Sequence, residues 1–148
     1  MSLLYTIGHS NHSLSQLISI LRQYEINIVA DVRRHPYSRH NPQFNQPSLM
    51  AGLQNAGIEY RFLGNKLGGK DDFDKIKARP EFEEGINELT VLASQGSHVA
   101  ILCAEEDPYH CHRHHILEPA FNKNNVKIVH IRGNGQPEMI RQMELFAI

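Results

Sequence analysis

Five short apolar runs, each closed by a chain breaker or a polar turn, alternate with segments of helical period, and this alternation leaves few folds open. The runs lie at 3–7, 26–32, 58–62, 99–103 and 126–131. The run Val99-Ala100-Ile101-Leu102-Cys103 has no polar position to turn toward water. A strand with one wet face alternates apolar and polar residues, whereas one apolar on both faces belongs in a parallel sheet covered on both sides. Between the first two runs, Ser13 and Gln16 have the spacing of a capping box, and Leu14, Leu17, Ile18 and Leu21 share one helical face. Leu49, Leu53 and Ala56 form a second stripe that stops at Gly57. Pro80 opens a third, carrying Phe82, Ile86, Leu89 and Ala93, which Gly96 ends. Asp107-Pro108 reads as the N-cap and first residue of a helix running to about Asn124, and 137–146 as a closing helix. The pattern predicts a single α/β domain over 1–148, with a mainly parallel sheet of about five strands and helices on both faces.

Composition narrows the partners. Of 148 residues 41% are hydrophobic and 21% charged, as in folded globular chains and unlike disordered ones. Fifteen Lys+Arg against sixteen Asp+Glu give a net charge of -1, so no global positive field draws the protein to DNA or an anionic membrane. No apolar run approaches the roughly 18 residues that span a bilayer, so no membrane partner is expected. Two cysteines are too few for a disulfide framework, which makes the cytoplasm the expected compartment.

In an open parallel sheet, ligands bind beyond the carboxyl ends of the strands. Those ends carry Gly8, His9 and Ser10, then Asp31, Arg33 and Arg34, then Glu105, Glu106 and Asp107, then His130 and Arg132. In the helix expected after Pro108, His110, Arg113, Leu117, Ala120 and Phe121 fall on one stripe, so Arg113 should point inward. A buried guanidinium requires a carboxylate or an anionic ligand, and Asp31 and Glu105 are the available carboxylates. One reading is a structural ion pair joining two loops; the other is a clamp for phosphate or carboxylate. Cys111, in the expected first turn beside His112 and Arg113, suits a nucleophilic or redox thiol, whereas Cys103 ends an apolar strand and reads as core. A disulfide between the two requires the strand end and the helix start to lie close. The phosphatase spacing is absent, since Tyr109 stands six after Cys103 and Leu117 six after Cys111.

The tract His110-Cys111-His112-Arg113-His114-His115 also admits a metal reading, with Cys111 and His115 four apart on one helical face, but no second tight Cys/His pair completes a closed site. The loop at 33–40 is locally basic and carries Tyr37, which suits phosphates of a nucleotide or of single-stranded nucleic acid. The glycines at 64–69 match neither the dinucleotide fingerprint nor the P-loop, so no cofactor is expected.

Together, Thr6-Ile7-Gly8-His9-Ser10, Asp31-Val32-Arg33 with Pro36 and Ser38, Leu67-Gly68-Gly69, and Cys103-Ala104-Glu105 followed by Asp107-Pro108 and Cys111-His112-Arg113 are ordered blocks. In these the chain resembles the family called domain of unknown function 488. The resemblance implies a compact cytoplasmic α/β domain with those blocks as its site, and implies no particular reaction. His114 and His115 extend the last block beyond the shared pattern.

The leading expectation is a small enzyme, a hydrolase or transferase, acting on a phosphate-bearing or nucleotide-like substrate at the carboxyl edge of the sheet. Arg33 and Arg113 would hold the anion, with Arg39, Ser10 and Ser38 around it. Asp31 or Glu105 would act as general base or orient His9 or His112, and Cys111 is the candidate nucleophile. Two alternatives stand beside it: a non-catalytic nucleotide or nucleic-acid binding module, and a metal-binding protein using Cys111 and histidines.

Overall fold

Parity along the strands decides which side chains enter which layer, and two apolar layers result. In a computed structural model that describes residues 2–68 and 73–138, strand β4 (Val99–Cys103) turns Val99, Ile101 and Cys103 to one face and Ala100 and Leu102 to the other. All five are buried, as a strand without a polar position requires. Strand β1 (Ser2–Gly8) lies beside it in parallel, with Gly8 opposite Cys103, and β2 (Ile28–Asp31) flanks β4 on the other side. Strands β3 (Glu59–Phe62), β5 (Val126–Ile131) and β6 (Pro137–Glu138) complete the order β3-β2-β4-β1-β5-β6.

The first five strands are parallel, and only β6 runs antiparallel, against β5. This is the expected α/β sheet with one strand more. Pro137, read as a helix start, instead begins that edge strand, where a residue without an N–H is tolerated. The rest of the expected closing helix, 139–146, lies outside the described residues.

Helices α1 (Leu14–Gln23) and α2 (Gln46–Asn55) cover one face, packing Leu17, Leu21, Leu49 and Leu53 against Ile7, Val29, Ala100 and Leu102. The capping box of Ser13 and Gln16 is present in both directions. Helix α5 (Pro80–Ser94) covers the other face with Phe82, Ile86 and Leu89, and Gly96 takes the left-handed conformation after it (φ 84°). The stretch 64–79 contains α3 (Gly64–Leu67) and α4 (Phe73–Ala78), whose Leu67 and Ile76 are fully buried. Among the described residues no helix is long and apolar enough to cross a membrane.

The helix expected from Pro108 is broken. Asp107 caps a single 3-10 turn at Pro108–His110 through Tyr109 N–H (2.9 Å), and Cys111 then returns to extended backbone (φ -137°). A π-helical turn at Arg113–Leu117 follows, leading into α6 (Glu118–Lys123). Arg113, Leu117 and Phe121 of the expected stripe are buried, but the break leaves His110 exposed. Such π turns recur at functional sites because the wider turn redirects side chains.

Candidate functional site

The carboxyl ends of β1, β2 and β4 adjoin, and their ladders continue past the strands. His9 N–H donates to Cys103 O (2.8 Å), Ser10 N–H to Ala104 O (3.0 Å) and Val32 N–H to Leu102 O (3.0 Å). The approach of the β1 end to the loop after β4 is so close that a Cβ on Gly8 would stand 1.8 Å from Glu105 O, so only glycine fits. Beyond these ends opens a cavity of about 820 Å³. His9, Ser10, Arg33, Ser38, Cys103, Glu105, Cys111 and His112 line it, so most of the expected site residues are brought together. Arg39 is exposed and does not line it, and neither Asp31 nor Arg113 reaches it.

Asp31 is engaged elsewhere. Two residues apart on an extended chain, Asp31 and Arg33 project to the same side. Arg33 donates through Nε to Oδ1 (2.9 Å) and through a terminal nitrogen to Oδ2 (2.8 Å). Its other terminal nitrogen donates to Phe44 O (2.8 Å). Tyr60 adds its hydroxyl to Oδ2 (2.7 Å), and burial together with this bond pushes the Tyr60 phenol well above its ordinary range. Asp31 thus anchors Arg33 from inside the protein instead of offering a base to a ligand.

Among the described residues Arg113 is the bulkiest fully buried side chain, and it meets no carboxylate there. One terminal nitrogen donates to the carbonyls of Glu105 and Glu106 (3.0 Å to the latter), the other to Thr6 Oγ1 (3.4 Å), and Nε has no partner. Thr6 Oγ1 in turn contacts His130 Nδ1 (2.6 Å), whose Nε2 meets Glu118 Oε1 (3.0 Å). A self-consistent set of donors runs Arg113 to Thr6 to His130, with His130 Nε2–H donating to Glu118. Thr6 and His130 are register partners on adjacent strands, so the sheet itself aligns this buried chain. Neither reading of Arg113 made from the sequence named these partners: its guanidinium braces the loop at Glu105 and Glu106 through carbonyls.

The two sulfurs lie 3.0 Å apart, and Cys111 Sγ also stands 3.4 Å from His112 Nδ1. The hydrogen bond from Cys103 holds the Cys111 thiol well below the ordinary thiol range, with His112 and the Arg113 charge adding to it. Burial pushes Cys103 the opposite way. His9 stacks on Phe44 with ring centroids 4.5 Å apart, and burial lowers its pKa to about 4. Its Nδ1 bonds Ser10 O (2.8 Å), which leaves Nε2 as the basic nitrogen of the neutral ring. Ser10 itself holds a left-handed backbone (φ 48°), uncommon for a residue with a Cβ.

Glu105 is exposed at the cavity, with Oε1 accepting from Asp107 N–H (3.3 Å). Beside it, Glu106 points to Arg132 (2.8 Å) and Gly133 N–H (2.8 Å), and the Arg132 bond lowers its pKa to about 2.

Arg34, His35 and Tyr37 of the basic loop and His110 of the histidine tract also line the cavity, as does Tyr109, which had no signal in the sequence. Strand parity held the signal for Arg34, since with Arg33 turned inward its neighbour turns out. Of the residues in the metal reading, His115 Nε2 lies 2.7 Å from Tyr109 O. Among the described residues no group of three or more His, Cys, Asp or Glu is placed to hold a metal.

No curated protein and no solved structure matches the chain. A family model described as Domain of unknown function DUF488 matches residues 13–119, which hold three of the four blocks and, of the site, everything after the β1 end, so the chain belongs to that family.

Proposed function

We propose that this protein is an enzyme that takes a phosphate-bearing, nucleotide-like substrate in the cavity and attacks it with Cys111. The observation that carries this reading is the charge of the lining. Among the described residues of the lining, Arg33, Arg34 and five histidines face a single acidic residue, Glu105. Because Asp31 already neutralises Arg33, Arg34 is the principal fixed cation for a ligand. Tyr37 and Tyr109, 61% and 37% exposed, offer aromatic faces beside it, which suits a base stacked near a bound phosphate. In this reading the Cys111 thiolate forms a covalent bond with the transferred group as the leaving group departs. A water or second substrate, deprotonated by His9 Nε2, then releases it.

The test is thermal unfolding with inorganic phosphate and mononucleotides, comparing wild type with Arg34→Ala and Arg39→Ala. Ligand at about a hundred times its dissociation constant adds roughly 2.7 kcal/mol and moves the midpoint by several degrees. The shift should vanish in Arg34→Ala and persist in Arg39→Ala, whose side chain is outside the cavity. Equal shifts in all three proteins would sink the reading. The same tyrosines also favour a second reading, a module that binds single-stranded nucleic acid without chemistry. Oligonucleotide affinity falling steeply with salt, and no turnover of nucleotides, would select it.

A further inference from the structure

We propose that Cys103 and Cys111 form a reversible thiol–disulfide couple that exchanges with low-molecular-weight disulfides entering the cavity, with Cys111 the attacking and Cys103 the resolving sulfur. The placement of the two sulfurs carries this couple independently of the anionic-substrate reading. Cys103 ends a strand whose parity turns it into the α5–α6 layer, and the broken helix start returns Cys111 to the same layer eight residues later. Their sulfurs stand 3.0 Å apart, so closing a disulfide of ordinary length needs an approach of about 1 Å. The roles follow from access. Both line the cavity, but Cys103 is only 3% exposed while Cys111 is half-buried and so more open to a substrate. His112 Nδ1 lies beside the Cys111 sulfur, and the Arg113 guanidinium is held nearby on carbonyls, with no carboxylate among the described residues against it, so negative charge on Cys111 is favoured.

The exchange balances. Cys111 thiolate attacks one sulfur of R–S–S–R; the Cys111–S–R bond forms as the S–S bond breaks, and the departing thiolate takes a proton from solvent. Cys103 then loses its proton and attacks Cys111 Sγ, expelling the second thiolate, which is likewise protonated. Two protein thiols are oxidised to one disulfide, and R–S–S–R is reduced to two R–SH. A small dithiol drives the reverse.

The full-length protein should be equilibrated in glutathione buffers of stepped oxidation, quenched in acid, alkylated and weighed by intact mass spectrometry. The expected result is that both thiols disappear together, with loss of two hydrogens and no retained glutathione. Cys103→Ala should instead trap one glutathione on Cys111, and circular dichroism would show that this variant is folded. If Cys103→Ala does not fold, brief exposure of wild type to oxidised glutathione gives the same information, since the first adduct should map to Cys111. Thiols that stay reduced in the most oxidising buffer would overturn the proposal, as would a wild-type mixed disulfide that never closes, or a first adduct on Cys103. Because these readouts follow sulfur and the Arg34 comparison follows ligand binding, the two proposals fail separately.

Discussion

Two buried arginines stand under the same cavity and are held in opposite ways. Arg33 is gripped by both oxygens of Asp31, with Tyr60 and Phe44 completing the shell, so its charge is cancelled where it sits. Arg113 ends on two carbonyls and a hydroxyl, so dipoles solvate it and no anion among the described residues neutralises it there. The difference separates structural work from chemical work. A matched pair has little field left over for a neighbour, whereas a charge solvated only by dipoles acts on whatever ionisable group is close, here the Cys111 and Cys103 sulfurs.

Removing the anion from the matched pair should have the largest effect. Asp31→Asn keeps the shape and strands Arg33 as an uncompensated buried charge, which should lower stability by about 3–5 kcal/mol in urea unfolding. A loss below about 1 kcal/mol would show that the pair is dispensable. Next in size is the acid response of His9, which lies beside Arg33 and is buried. Its folded pKa of about 4 is below the 6.5 of the free group, so the unfolded chain takes up the proton first. The neutral ring costs nothing well above pH 6.5, and stability is lost as pH falls toward 4, the loss reaching roughly 2–3 kcal/mol at pH 4.5. His9→Asn should flatten the decline in thermal midpoint between pH 7 and 4.5; an unchanged slope would mean that other groups set it.

The smallest stability effect is expected at the dipole-solvated charge. Arg113→Met removes hydrogen bonds to neutral groups and no ion pair, at a cost of about 1–3 kcal/mol. The same variant should raise the pH at which alkylation of Cys111 reaches half its plateau rate, because one of the groups that favour its thiolate is gone. Were Arg113→Met to cost as much as Asp31→Asn and leave alkylation unchanged, the two arginines would be doing the same job.

Much of this organisation was legible along the chain. The strand runs, the capping box at Ser13, the stops at Gly57 and Gly96 and the gathering of His9, Glu105 and Cys111 at one sheet edge follow from local period and from where parallel strands end. Local rules failed at Asp107 to Leu117, where capping and proline signals call for a continuous helix. The chain instead breaks at Cys111 and resumes as a π turn, placing its sulfur against the end of β4.

What the sequence determined by itself is the alternation of elements, the burial of both faces of the central strands and the chemistry available at their ends, because each depends on near neighbours in the chain. Long-range packing decided what surrounds Arg113, because Thr6 and the carbonyls of Glu105 and Glu106 reach it from separate elements. Asp31 and Glu105 are alike as acids, and Arg33 and Arg113 as bases. Asp31 meets Arg33 by local strand parity, whereas Arg113 meets the Glu105 carbonyl because of which strand lies beside which and how closely Gly8 lets that carbonyl approach, a distance set by residues far apart in the chain.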